Sequence, residues 1–139
     1  MIIYFGCRGT LIDGEGNLRR YADFVLQQLS QEGHRLYLWE SEKDSSAKEV
    51  LKRQGLLSYF ECSGAFEEPD PAPDYIIDAN PDRFGVDTPG HQVPYFNKYT
   101  MMDDEEMLEV YRQIHRIMGV SGPPPRVDVS EFVSRRGTQ

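Results

Sequence analysis

The sequence predicts an α/β domain, with a central, mainly parallel sheet inside a Rossmann-like three-layer αβα sandwich. Three observations carry that expectation. Short continuous apolar runs at residues 2–5, 36–39 and 75–77 read as strands buried on both faces, as in a parallel sheet. Amphipathic stretches at helical spacing follow the first two runs. The resulting order, strand–helix–strand–helix–strand, is that of a parallel sheet with crossover helices. At 139 residues, 39% hydrophobic and 27% charged, the chain can bury a core without staples and has no disordered composition.

The elements follow in order. Residues 2–5 (Ile-Ile-Tyr-Phe) form the first strand, and the glycines at 6, 9, 14 and 16 mark a loop. Asn17 is placed to cap a helix running to about residue 32, with Leu18, Tyr21, Val25 and Leu29 on one face and Gly33 as its stop. Residues 36–39 form the second strand, residues 46–54 a second helix, and residues 60–63 a weak third strand. Three prolines make residues 67–73 a loop. Residues 75–77 are the next strand, ending at Asp78. Residues 92–96 suit an edge strand, since Pro94 is tolerated there better than in a sheet centre. A last helix spans about 103–118. Its acidic start, Asp103 to Glu106, is expected on the solvated face, and Arg112, His115 and Arg116 near its end complement the macrodipole. One domain over residues 1–118 is therefore expected, followed by a Pro-rich tail over 119–139, extended or partly mobile, that opens with Gly119 and carries Pro123-Pro124-Pro125.

Bulk properties narrow the function classes. A formal charge of −8 argues against a broad nucleic-acid surface. The apolar run at the start is too short for a signal peptide or membrane span. The two cysteines, Cys7 and Cys62, fit reduced thiols better than a disulfide framework, so a cytoplasmic protein away from membranes is expected. With His34 and His91 they share no zinc-type spacing. Cys7 also lacks the amide loop ending in Arg that a cysteine phosphatase needs, because Arg8 follows it directly.

In parallel α/β folds, sites form at the carboxyl ends of the strands. Four loops meet there: residues 6–13, 40–44, 67–73 and 78–82. The first strand is followed by Gly6-Cys7-Arg8-Gly9-Thr10-Leu11-Ile12-Asp13, the second by Glu40-Ser41. Then come Glu68-Pro69-Asp70-Pro71, and Tyr75-Ile76-Ile77-Asp78 with Asp82. In this order the four segments resemble the motifs of the haloacid dehalogenase (HAD)-like hydrolase superfamily, over roughly residues 1–96 and with no insertion long enough for a cap domain. That resemblance implies a HAD-like fold. It also implies a phosphatase site with carboxylates at positions 6 and 8, a Ser or Thr matched either by Ser41 or by a position that Glu40 occupies, a Lys at 68, and Mg²⁺ held partly by Asp78. Here Gly6 stands at the nucleophile position and Arg8 at the general acid/base position, while Glu68 replaces the Lys. Gly6 can neither attack nor ligate, Arg8 stays protonated, and Glu68 repels phosphate.

These substitutions suggest a catalytically inactive domain, a pseudo-phosphatase acting as a binding, regulatory or structural module for a protein partner or a small anion. No cofactor is expected for that role. Within it, Arg8 is expected to stand in for the metal by bridging Asp78, Glu68 or Asp82. Two alternatives stay open. One is a divergent phosphohydrolase using Asp13, Asp78 or Asp82 with weakly held Mg²⁺. The other is an anion binder built from Arg8, Gly9 and Thr10. The simpler reading of Gly9 is a turn that needs glycine. Tyr95, Phe96 and Tyr99 are expected to cover the core or the sheet edge.

Overall fold

The computed structural model describes residues 1–39, 45–64, 71–80, 88–97 and 104–118. The elements are β1 (Ile2–Gly6), α1 (Ala22–Gln31), β2 (Arg35–Trp39), α2 (Ser45–Arg53), β3 (Phe60–Gly64), β4 (Tyr75–Asp78), β5 (Gly90–Gln92) and α3 (Glu106–Ile117), with a 3₁₀ turn at Leu57–Tyr59. The five strands form one sheet in the order β3-β2-β1-β4-β5, and every pairing is parallel. The α/β class and the parallel sheet are as the sequence indicated. The expected tail over 119–139 lies outside the described residues.

Strand alternation sorts the core into two faces. Ile3 and Phe5 of β1, Leu36 and Leu38 of β2, and Tyr75 and Ile77 of β4 join one cluster. The apolar stripes of α1 (Val25, Leu26, Leu29), α2 (Ala47, Val50, Leu51) and α3 (Met107, Val110, Ile114) pack into that same cluster. The opposite face carries Tyr4, Tyr37, Trp39 and Ile76, all buried. Tyr4 and Tyr37 stack there with centroids 5.0 Å apart, Trp39 meets Tyr4 edge-on at 5.4 Å, and the Tyr4 hydroxyl donates to the Pro71 carbonyl at 2.6 Å. Among the described residues, then, all three α-helices lie on one face. The expected second helical layer does not appear there, because the β3–β4 and β4–β5 connections show no helix in their described parts.

Two boundaries differ from expectation. Helix α1 starts at Ala22 rather than after Asn17, with Tyr21 at its N-cap in the left-handed region at φ 65°. Residues 11–19 are instead drawn into a small hairpin. The Asp13 amide donates to the Asn17 carbonyl (3.0 Å), the Arg19 amide to the Leu11 carbonyl (2.7 Å), and Ile12 pairs antiparallel with Leu18. The edge strand falls at Gly90–Gln92, ahead of the expected 92–96. Gly90 is needed there, since a Cβ would lie 2.7 Å from the Ile76 carbonyl oxygen of the neighbouring strand.

The single large cluster makes α1 the test of this packing. Leu26→Ala, at a fully buried position, is expected to lower unfolding free energy by about 2–5 kcal/mol in urea titration.

Candidate functional site

The chain runs β1→β2→β3 outward in one direction and then returns to place β4 on the other side of β1. The point where strand order reverses lies between β1 and β4, and crevices form outside the carboxyl ends at such points. Gly6 ends β1 and Asp78 ends β4, so the sequence and the topology bring these two positions together.

At the end of β1 the chain makes one tight turn. The Cys7 carbonyl accepts from the amides of Thr10 (3.1 Å), Leu11 (2.8 Å) and Ile12 (3.2 Å), and Gly9 adopts φ 84°. That turn aims Thr10 at Asp78. The Thr10 hydroxyl donates to Asp78 Oδ1 at 3.1 Å and accepts from the Ala79 amide at 3.1 Å. The Asn80 amide donates to Asp78 Oδ2 at 2.8 Å. Asp78 is 2% exposed and leans across onto Gly6. A Cβ built on Gly6 would overlap Asp78 Oδ1, lie 2.7 Å from its Cγ and 3.1 Å from Thr10 Oγ1. The carboxylate of Asp78 thus fills the space into which a side chain at position 6 would project.

Mg²⁺ can be tested against this arrangement. Gly6 offers no side-chain oxygen, both oxygens of Asp78 accept hydrogen bonds, and among the described residues no three His, Cys, Asp or Glu side chains are grouped to hold a metal ion. The described residues do not fit the metal. Asp13, considered as a weak ligand, has another task. Its Oδ1 accepts from the Glu15 (2.9 Å) and Asn17 (2.8 Å) amides and its Oδ2 from Asn17 Nδ2 (2.9 Å), closing the hairpin. Burial alone would raise its pKa, but these donors outweigh it and hold the carboxyl below the ordinary Asp value.

Arg8 reaches toward α2. Its Nη1 donates to the Asp13 carbonyl at 2.7 Å and its Nη2 to Ser46 Oγ at 3.1 Å. Two of the carboxylates proposed for it, Glu68 and Asp82, lie outside the described residues, as does Ser41. Gly9 and Thr10 are occupied by the protein itself. The Gly9 carbonyl accepts from the Phe96 amide at 2.8 Å, and the Tyr95 ring lies on Gly9 so closely that a Cβ there would overlap it. Phe96 is buried, whereas Tyr95 is 56% exposed.

The sequence reading missed one residue of this region. Arg19 is 1% exposed and pairs through Nε with Asp104 Oδ2 at 2.7 Å. Its Nη1 donates to the Thr10 carbonyl at 3.2 Å, and its guanidinium lies 5.4 Å from the Phe96 ring centroid. Asp104 in turn accepts from the Glu106 amide at 3.1 Å, tying the start of α3 to the loop. Asp104 is therefore no solvated helix-start residue. Helix position alone hid it, because an acidic first turn normally faces water. The only sequence cue was Arg19 falling on the inner side of an otherwise apolar stripe. No family model matches the chain, and neither does any curated protein or solved structure.

Two outcomes follow from these contacts. Arg19→Met leaves Asp104 buried without its cation and is expected to cost about 3–5 kcal/mol in chemical denaturation, with much of the loss recovered in Arg19→Met/Asp104→Leu. Thr10→Val removes the donor to Asp78 and the acceptor of the Ala79 amide, and is expected to cost about 1–3 kcal/mol in the same titration.

Proposed function

We propose that this chain is a non-catalytic binding or regulatory module that resembles the HAD-like hydrolases and has a closed-off phosphatase site. The observation that carries the reading is the Asp78 carboxylate lying over Gly6, held by Thr10 and the Asn80 amide. An in-line attack on phosphorus needs a nucleophile projecting from the end of β1 and room beside it. Here the glycine supplies no nucleophile, and the acid of the neighbouring strand fills the room. The order of the sheet and the position of the reversal between β1 and β4 support the Rossmann-like part of the resemblance. The partner in this reading is another protein or a small anion.

The test is hydrolysis of an aryl phosphate with Mg²⁺ by the unmodified protein and by Gly6→Asp/Arg8→Asp. Neither is expected to turn over. The double variant stays silent because Asp78 holds the place the new carboxylate would need. Turnover by the unmodified protein that disappears in Asp78→Asn would contradict the reading and favour a divergent phosphohydrolase. Thermal shift with inorganic phosphate alone separates the anion-binding form, where Arg8→Ala should abolish any rise in melting temperature.

A further inference from the structure

The loop leaving β1 is fastened to α2 through one serine. Arg8 Nη2 donates to Ser46 Oγ at 3.1 Å, while Nη1 of the same guanidinium donates to the Asp13 carbonyl at 2.7 Å. Ser46 is the second residue of α2 and is exposed, whereas Arg8 is partly buried. A neutral hydroxyl uses only part of what a guanidinium offers, because its planar fork matches the oxygens of a phosphate. The charge pattern of α2 points the same way. Lys52 and Arg53 occupy its last turn, where cations complement the helix dipole, yet no acid occupies its first turn, where an anion would do so. Glu49, three residues after Ser46, is also exposed, so an acid follows the hydroxyl where a serine kinase that reads acidic positions can contact it. Ser30 is the contrasting case. It is exposed too, but lies in the last turn of α1, at the negative end of that dipole, where a phosphate is disfavoured.

We propose that Ser46 is a phosphorylation site whose phosphoryl group is received by Arg8. The donor is a nucleoside triphosphate and the catalyst a separate protein kinase. Ser46 Oγ attacks the γ-phosphorus and forms the new Oγ–P bond, while the bond from that phosphorus to the β–γ bridging oxygen breaks. The nucleoside diphosphate leaves, and the hydroxyl proton passes to the base of the kinase. The product carries nearly two negative charges on the side chain that Arg8 already touches. A contact to a neutral oxygen becomes a charge-assisted, two-pronged one and draws the β1 loop more firmly onto α2. Glu49 opposes the phosphate, but from an exposed position that water and salt screen. The same guanidinium holds the Asp13 carbonyl, and the same loop aims Thr10 at Asp78, so charge at Ser46 is felt at the strand ends. As the switch of a regulatory module, Ser46 rests on the non-catalytic reading above; hydrolysis of the aryl phosphate decides that reading separately, with no phosphoserine present.

Phosphoserine is installed at position 46, and separately at position 30, in the full chain by stop-codon suppression, and melting temperatures are compared with the unmodified protein. At about pH 7.5, where the phosphate is mostly a dianion, the group on Ser46 should raise the melting temperature by about 2–4 °C. The same group on Ser30 should leave it unchanged or lower it. Arg8→Met should cancel the gain at Ser46. Should that variant fail to fold, pH decides. Arg8 favours the dianion, so the folded value of the second phosphate proton lies below its ordinary value of about 6. The gain is therefore complete at about pH 7.5 and declines as the pH falls through that lowered value. In protein isolated from its own cells with phosphatase inhibitors, fragmentation mass spectrometry of the peptide 44–48 should place a phosphoryl group on Ser46. The proposal is overturned if that peptide carries none there, if phosphorylated Ser46 gives no rise or only the rise that phosphorylated Ser30 gives, or if the gain survives in Arg8→Met or does not decline at low pH.

Discussion

Parallel strands β1 and β4 end side by side, and the side chain at the end of one lies over the backbone at the end of the other. Asp78 can lean across because position 6 has no Cβ, and it stays there because Thr10 and the Asn80 amide hold its two oxygens. The same loop carries the next contacts outward. The Thr10 carbonyl takes a hydrogen bond from Arg19, Arg19 pairs with Asp104, and Asp104 caps the approach to α3, while the Gly9 carbonyl anchors Phe96. A buried carboxylate and a buried guanidinium sit two hydrogen-bonding steps apart, each with its own partners. Groups of this kind are costly when unpaired, so a change at one position is felt along the series.

This arrangement gives the proposed loss of catalysis a geometric basis beyond the missing residues. A phosphatase site needs an open position at the end of β1, and here a neighbouring acid occupies it. Arg8 fits the same picture. Its guanidinium binds a carbonyl of the hairpin and a hydroxyl at the start of α2, so it fastens the loop to the helix. The hairpin depends on Asp13, whose carboxylate gathers three N–H donors of its own loop. Acids that suggested a ligand shell are thus, where the structure describes them, engaged within the fold.

Much of the frame was legible in the residues. Continuous apolar runs at Ile3 to Phe5, Leu36 to Leu38 and Tyr75 to Ile77 could only be strands buried on both sides, and the glycines after α1 and α2 marked their ends. The meeting of Gly6 and Asp78 followed from strand ends in a parallel sheet. What was not legible depended on tertiary contacts. The apolar spacing of Leu18 and Tyr21 suited a helix, yet pairing of Ile12 with Leu18 and the Asp13 turn pulled residues 17–19 into a hairpin. Asp104 looked like one of four equivalent acids, and only Arg19, distant in sequence, set it apart. The placement of all described helices on one face also escaped the pattern, since strands buried on both sides do not say what covers them.

The constraint between positions 6 and 78 is measured most directly by a double-mutant cycle in urea denaturation, using Gly6→Ala, Asp78→Ala and the double variant. Alanine at position 6 should be strongly destabilising when Asp78 is present and close to neutral when Asp78 has been cut back, a coupling of about 1–3 kcal/mol. Equal effects of Gly6→Ala in both backgrounds would mean that Asp78 does not occupy the space above Gly6, and would contradict the account.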